Sequence, residues 1–326
     1  MAARKQRSDE VRLAALAGVK ADPGSEPSRK ELERALADDS WLVVATAAEL
    51  IGEHALEGFR HALTAVFPRF VEKGAKGDPG CRAKAAALTA LDRLEGLDPD
   101  PFLAAVRFKQ MEPAPGGAVD TAGGVRQRAL FALLRQRHPD APLYAGELLT
   151  DENAHVRAGV CQALAHYGDP AAAALLVHKL HAGDEDPVVL SEAAAGLLGA
   201  APEFALPLFD AWLRDDDITR RECAALSLGQ SRHPEAVGKL LVWLDEIAWD
   251  KDIELGFRAL GLSRDERARR YLLDEVEQGS RLRAERALEA LAVHAYDEQL
   301  LARIREAAAK NHGARLEKAL GRLLRR

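Results

Sequence analysis

Few residues in this 326-residue chain have the type and spacing that chemistry needs. His178 and His181 stand at i and i+3, a spacing at which one helix can turn two imidazoles toward one metal. Catalytic zinc takes three protein ligands, and no signature such as H-E-x-x-H completes the set. The pair reads as surface histidines, and neither a metal nor a cofactor is expected. The segment 109–124 (KQMEPAPGGAVDTAGG) holds Glu112, Asp120 and Thr121 just ahead of Arg126 and Arg128. Carboxylate and hydroxyl groups beside arginines could hold a ligand; equally, Asp120 or Thr121 could cap the helix that follows. The run RDDD at 214–217 reads as a solvated turn with helix caps. There is no G-x-S-x-G, no P-loop and no G-x-G-x-x-G with an acidic partner. Cys81, Cys161 and Cys223 are odd in number and far apart, so no disulfide framework is implied. A reducing compartment, the cytoplasm, is the corresponding expectation. Cys161 and Cys223 read as small apolar residues packed against a neighbour.

The elements that would position these groups are helical. Aromatics are only 5% of the chain while Ala and Leu dominate, which favours helix over strand, and no alternating strand pattern is found. Three segments repeat one design: Asp151 to Pro170, Asp184 to Pro202 and Asp215 to Pro234. Each opens on an acidic cluster, continues as an Ala/Leu helix, reaches Gly168, Gly199 or Gly229, and restarts at proline. Aspartate accepts hydrogen bonds from orphan N–H groups at a helix start, glycine supplies a left-handed stop, and proline fits a first turn. Extending this phase predicts first helices near 9–20, 41–53, 79–95, 124–137, 153–167, 187–199, 218–230, 251–262 and 281–294. Their partners are predicted near 28–37, 56–72, 100–109, 140–149, 170–182, 202–213, 234–246, 264–278 and 296–309, with 314–325 closing the stack. Ser28 with Glu31, and Ser263 with Glu266, have capping-box spacing.

A hairpin of this size cannot bury its apolar stripe alone, so the units must stack. The pattern resembles the HEAT-repeat proteins, and among them the short bacterial HEAT-like repeats named after phycobilisome lyases. The resemblance rests on Asp151–Arg157 (DENAHVR), Ala163-Leu164, Gly168-Asp169-Pro170 and their two later copies. It implies a right-handed all-α solenoid of about nine stacked hairpins, of the HEAT/armadillo superhelix kind, running as one array over 1–326. Residues 1–119 would be divergent N-terminal repeats, 120–300 the clearer ones, and 301–326 a C-terminal capping helix.

In such arrays the second helices line the concave face. Aligning Pro170 with Pro234 makes Leu176, Leu180, Leu240 and Leu244 core, and turns His178, Lys179, Val242 and Trp243 outward. Trp243 with His178, Lys179, Asp210 and Lys239 then forms a partner-binding patch, while Trp212 packs inside. Charge is uneven: residues 139–263 carry 21 acidic and 9 basic side chains, and 264–326 carry 11 acidic and 15 basic. An acidic middle attracts a basic protein segment and repels phosphates, which argues against nucleic acid. The expected function is a non-enzymatic scaffold holding a protein partner. The alternatives that resemblance suggests are a DNA-binding protein of the HEAT-like alkylpurine glycosylase type, with Trp243, Asp245, Trp249 and Asp250 mimicking its cleft, or a bilin lyase-like activity. The longest apolar run, Ala171 to Val177, is far short of the ~20 residues a bilayer requires, and from the polar N-terminus no secretory signal is expected.

Overall fold

A computed structural model describes residues 2–94, 96, 98–247, 250–294, 296–311, 316 and 319–321, in two compact units, Met1–Tyr167 and Gly168–Arg326. The first unit contains α1 (Ala2–Val19), α2 (Glu26–Leu36), α3 (Trp41–Glu53), α4 (Arg60–Gly77), α5 (Arg82–Arg93), α6 (Asp100–Ala105), α7 (Gly123–Arg135), α8 (Ala141–Leu148) and α9 (Ala154–Tyr167). The second contains α10 (Pro170–Ala182), α11 (Pro187–Ala200), α12 (Pro202–Trp212), α13 (Ile218–Gln230), α14 (Ala236–Glu246), α15 (Asp250–Leu262), α16 (Glu266–Gln278), α17 (Arg281–Ala292) and α18 (Glu298–Lys310). A helix is found at each expected first and second position, and each unit is an all-α stack of helices. Most of the expected closing helix, 314–325, lies outside the described residues. Among the described residues no helix is long and apolar enough to cross a membrane.

Local chemistry explains the helix starts. Asp169, Asp186, Asp217, Asp265 and Asp297 each accept a backbone N–H of the first turn, at 2.8–3.1 Å. One step earlier, Asp151, Asp184 and Asp215 each accept the N–H two residues on, all at 2.9 Å. The acidic clusters are therefore tandem turns that launch each helix, RDDD included. The two capping boxes are corrected. Pro27 lies in the first turn of α2, so the cap moves back to Ser25, which accepts from Ser28 N. At α16 the cap is Asp265, and buried Ser263 instead accepts the Asp265 N–H at 3.1 Å.

First helices pack directly on one another: α3 on α5, α5 on α7 and α7 on α9 in the first unit, and α11, α13, α15 and α17 in turn in the second. The repeat glycines split into two roles. Gly168 takes φ +64° and ends α9 as expected. Gly229 instead lies inside α13, where a Cβ would sit 2.2 Å from the Ala259 carbonyl oxygen, so its task is to let α15 approach. Gly199 is also intrahelical and meets nothing within 4 Å.

The expectation of no sheet is also corrected. Met111–Ala114 pairs antiparallel with Gly117–Asp120 to form the hairpin β1–β2. Pro115 and Gly116 make the two-residue reversal, Gly116 at φ +94°, and Gly117 at φ +139° opens β2, both conformations that a β-branched residue would oppose.

Candidate functional site

The groups of 109–124 do converge. The Glu112 carboxylate accepts hydrogen bonds from Gly80 N, Gln110 Nε2 and Thr121 Oγ1, each at 2.7 Å. Burial raises the pKa of Glu112, but these bonds outweigh it and hold the carboxyl below its ordinary value. Asp120 accepts Gln110 N and Ala122 N at 3.0 Å and pairs with Arg126 at 2.6 Å. Burial opposes its ionisation too, and the two N–H groups and the guanidinium again prevail, lowering its pKa. Arg126, only 2% exposed, also bonds the Phe108 carbonyl at 2.9 Å and pairs with Asp151 at 2.8 Å. Every charged group is thus engaged with protein partners. The constellation ties the β1–β2 hairpin to α7 and to the turn before α9 and offers no free ligand to a small molecule. Beneath it, Lys84 and Asp78 form a fully buried ion pair at 2.8 Å.

The patch expected around Trp243 does not form. Trp243 is 2% exposed and Lys179 is 9% exposed. Both stand nine residues after the proline that aligns their helices, and both fall seven after a buried alanine, Ala172 and Ala236, so they complete the apolar stripe. Taking Leu240 and Leu244 alone as the stripe leaves out its i+3 member, which is Trp243. Lys179 pairs with Asp184 at 2.6 Å rather than facing a partner. Asp210 is held by Arg214 at 3.0 Å and Lys239 at 3.6 Å. Only Val242 and His178 face outward as expected. His181 is also exposed, its ring edge-on to buried Trp212 at 5.6 Å. Among the described residues no three His, Cys, Asp or Glu side chains gather as a metal site. Of the glycosylase-like set, Asp245 accepts a hydrogen bond from Tyr271 Oη at 3.4 Å, and Trp249 lies outside the described residues. Cys161 is buried, and burial pushes the Cys223 thiol up to about 11, so it is protonated and unreactive at neutral pH.

A feature that sequence reasoning missed is a groove of about 820 Å³ across α3, α5 and α7. Its floor is small: Ala45, Ala85, Ala86 and Ala90 with Gly52, where a Cβ would come within 2.9 Å of Ala90 Cα. Its rim carries Glu49, Glu53, Arg82, Arg93 and Arg128, and none of these five makes an ion pair among the described residues. Arg82 instead lies 5.3 Å over the ring of half-buried Trp41, and Arg128 donates to Thr89 Oγ1 at 2.9 Å. The signal was present in α3, WLVVATAAELIGE, where Glu49 and Glu53 are the only charges in an apolar helix and stand one turn apart.

Residues 118–197 match the family model for HEAT repeats. The solved complex of CpcE and CpcF of phycocyanin lyase from Nostoc sp. PCC7120 is similar over 88% of this chain and 96% of that one, at 17% identity and a TM-score of 0.34. A comparison with curated proteins finds no match.

Proposed function

We propose that this HEAT-repeat chain is a non-enzymatic scaffold, and that the groove across α3, α5 and α7 receives a segment of a partner protein. The observation that carries this reading is the rim of unpaired charge around an apolar floor. In the second unit, by contrast, Arg221 is neutralised by Asp252 and Arg286 by Glu254, each on a neighbouring repeat. At the groove, two carboxylates and three guanidiniums are left to an outside partner. Its complement is a segment with acidic side chains for Arg82, Arg93 and Arg128 and a basic one for Glu49 and Glu53. That keeps the expected basic character of the partner but confines it to one position. Trp41 under Arg82 is an aromatic and Arg pair of the kind that dominates interface energetics, with the surrounding charges giving orientation.

Photo-crosslinking tests the reading. A photoreactive residue at Thr46 or Thr89, inside the groove, should yield a discrete adduct in cells that disappears when Trp41→Ala and Arg82→Glu are added, while the variant protein keeps its melting temperature. Adducts that survive those changes, or that form equally well from exposed Val242 in the second unit, would contradict it.

A further inference from the structure

The second unit holds a cavity of about 570 Å³ where the turn between α13 and α14 adjoins the turn between α15 and α16. The two turns are copies of one sequence, Gly229-Gln230-Ser231-Arg232 and Gly261-Leu262-Ser263-Arg264. They are also copies in conformation, since Ser231 Oγ accepts the His233 N–H and Ser263 Oγ accepts the Asp265 N–H, both at 3.1 Å. Each serine thereby fixes the turn backbone that carries the next arginine, and Arg232 and Arg264 line the same cavity, both exposed. Neither makes an ion pair among the described residues.

The remaining polar groups on the wall bias it locally toward an anion, against the acidic balance of residues 139–263 as a whole. His233 Nδ1 accepts the Glu235 N–H at 3.3 Å, which leaves Nε2 as the protonated, donating nitrogen of the neutral ring. Asp265, the one carboxylate lining the cavity, is occupied by Arg267 at 2.7 Å and by the cap of α16 at 2.8 Å. Two guanidinium forks and an imidazole N–H supply more donors than the two oxygens of a carboxylate can take, and three terminal oxygens of a phosphate suit them better. The cavity is also larger than a bare phosphate ion, with Leu262 and Val237 as an apolar wall for whatever carries the group. From this geometry we infer that the paired Ser-Arg turns of α13–α16 bind a phosphomonoester, its phosphate between Arg232 and Arg264.

This site lies in the second unit and is independent of the groove on the first, so each reading can fail alone. Isothermal titration of the full chain with phenyl phosphate, a phosphoserine peptide and benzoate tests it. Saturable binding of at least one phosphomonoester is expected, weakened about tenfold by Arg232→Gln or Arg264→Gln and unchanged by Arg270→Gln, which removes an exposed arginine outside the cavity. Preference for the peptide assigns the phosphate to a protein side chain, and preference for phenyl phosphate assigns it to a small metabolite; either supports the site. No saturable phosphomonoester binding, equal binding of benzoate, or equal weakening by Arg270→Gln overturns it.

Discussion

Replacing Trp243 by alanine separates two descriptions of α14. A buried Trp side chain withdraws about 150–250 Å² from water, which at about 25 cal/mol per Å² amounts to ~4–6 kcal/mol. Alanine keeps part of that burial and the hole collapses in part, so the expected loss is about 3–5 kcal/mol. For a unit of this length each kcal/mol shifts the melting temperature by roughly 2–4 °C, giving a drop of about 6–20 °C. Val242→Ala provides the control: at 54% exposure it should change stability by no more than about 0.5 kcal/mol. Differential scanning calorimetry of the full chain, followed in parallel by near-ultraviolet circular dichroism, measures both. If Trp243→Ala melts within about 2 °C of the parent while Val242→Ala is the damaging change, the burial phase of α14 is off by one residue and Trp243 is a surface anchor after all.

Two further outcomes follow from the packing and the charge network. Gly229→Ala should cost about 1–3 kcal/mol, because its Cβ meets the Ala259 backbone, whereas Gly199→Ala meets nothing and should stabilise α11 by about 0.5–1 kcal/mol; urea melts of the two variants should move in opposite directions. Glu112 and Asp120 have folded pKa values below their ordinary 4.5 and 3.8, so their stabilisation is complete above those values and is lost as pH falls through the depressed ones. Glu112→Gln should therefore lower stability by about 1–2 kcal/mol at pH 7 and make little difference near pH 2, and a gap that persists in acid would show that the Glu112 hydrogen bonds do not depend on its charge.

Helix count, pairing and most boundaries were legible in the sequence because they rest on local rules. Aspartates cap their own first turns, prolines tolerate only the start of a helix, and a stripe of apolar side chains at helical spacing marks the buried face whatever it packs on. The tandem acidic turns recur because each Asp bonds an N–H two residues away, a contact no distant residue can alter.

What only the tertiary structure decided lies between helices. Whether Gly229 ends a helix or admits a neighbour depends on where Ala259 comes to rest, 30 positions along the chain. The segment 109–124 lacks helical phase, and its fate as a β-hairpin staple is set by Asp151, Gly80 and Arg126 converging from separate elements. Trp243 and Lys179 entered the core because the stripe on a second helix is wide enough to include an i+3 member, a width set by the helices on either side. The groove shows in the sequence only as Glu49 and Glu53 on an otherwise apolar α3, since its floor consists of common alanines. It exists because α3, α5 and α7 lie side by side and the charges at their rim make no ion pair among the described residues.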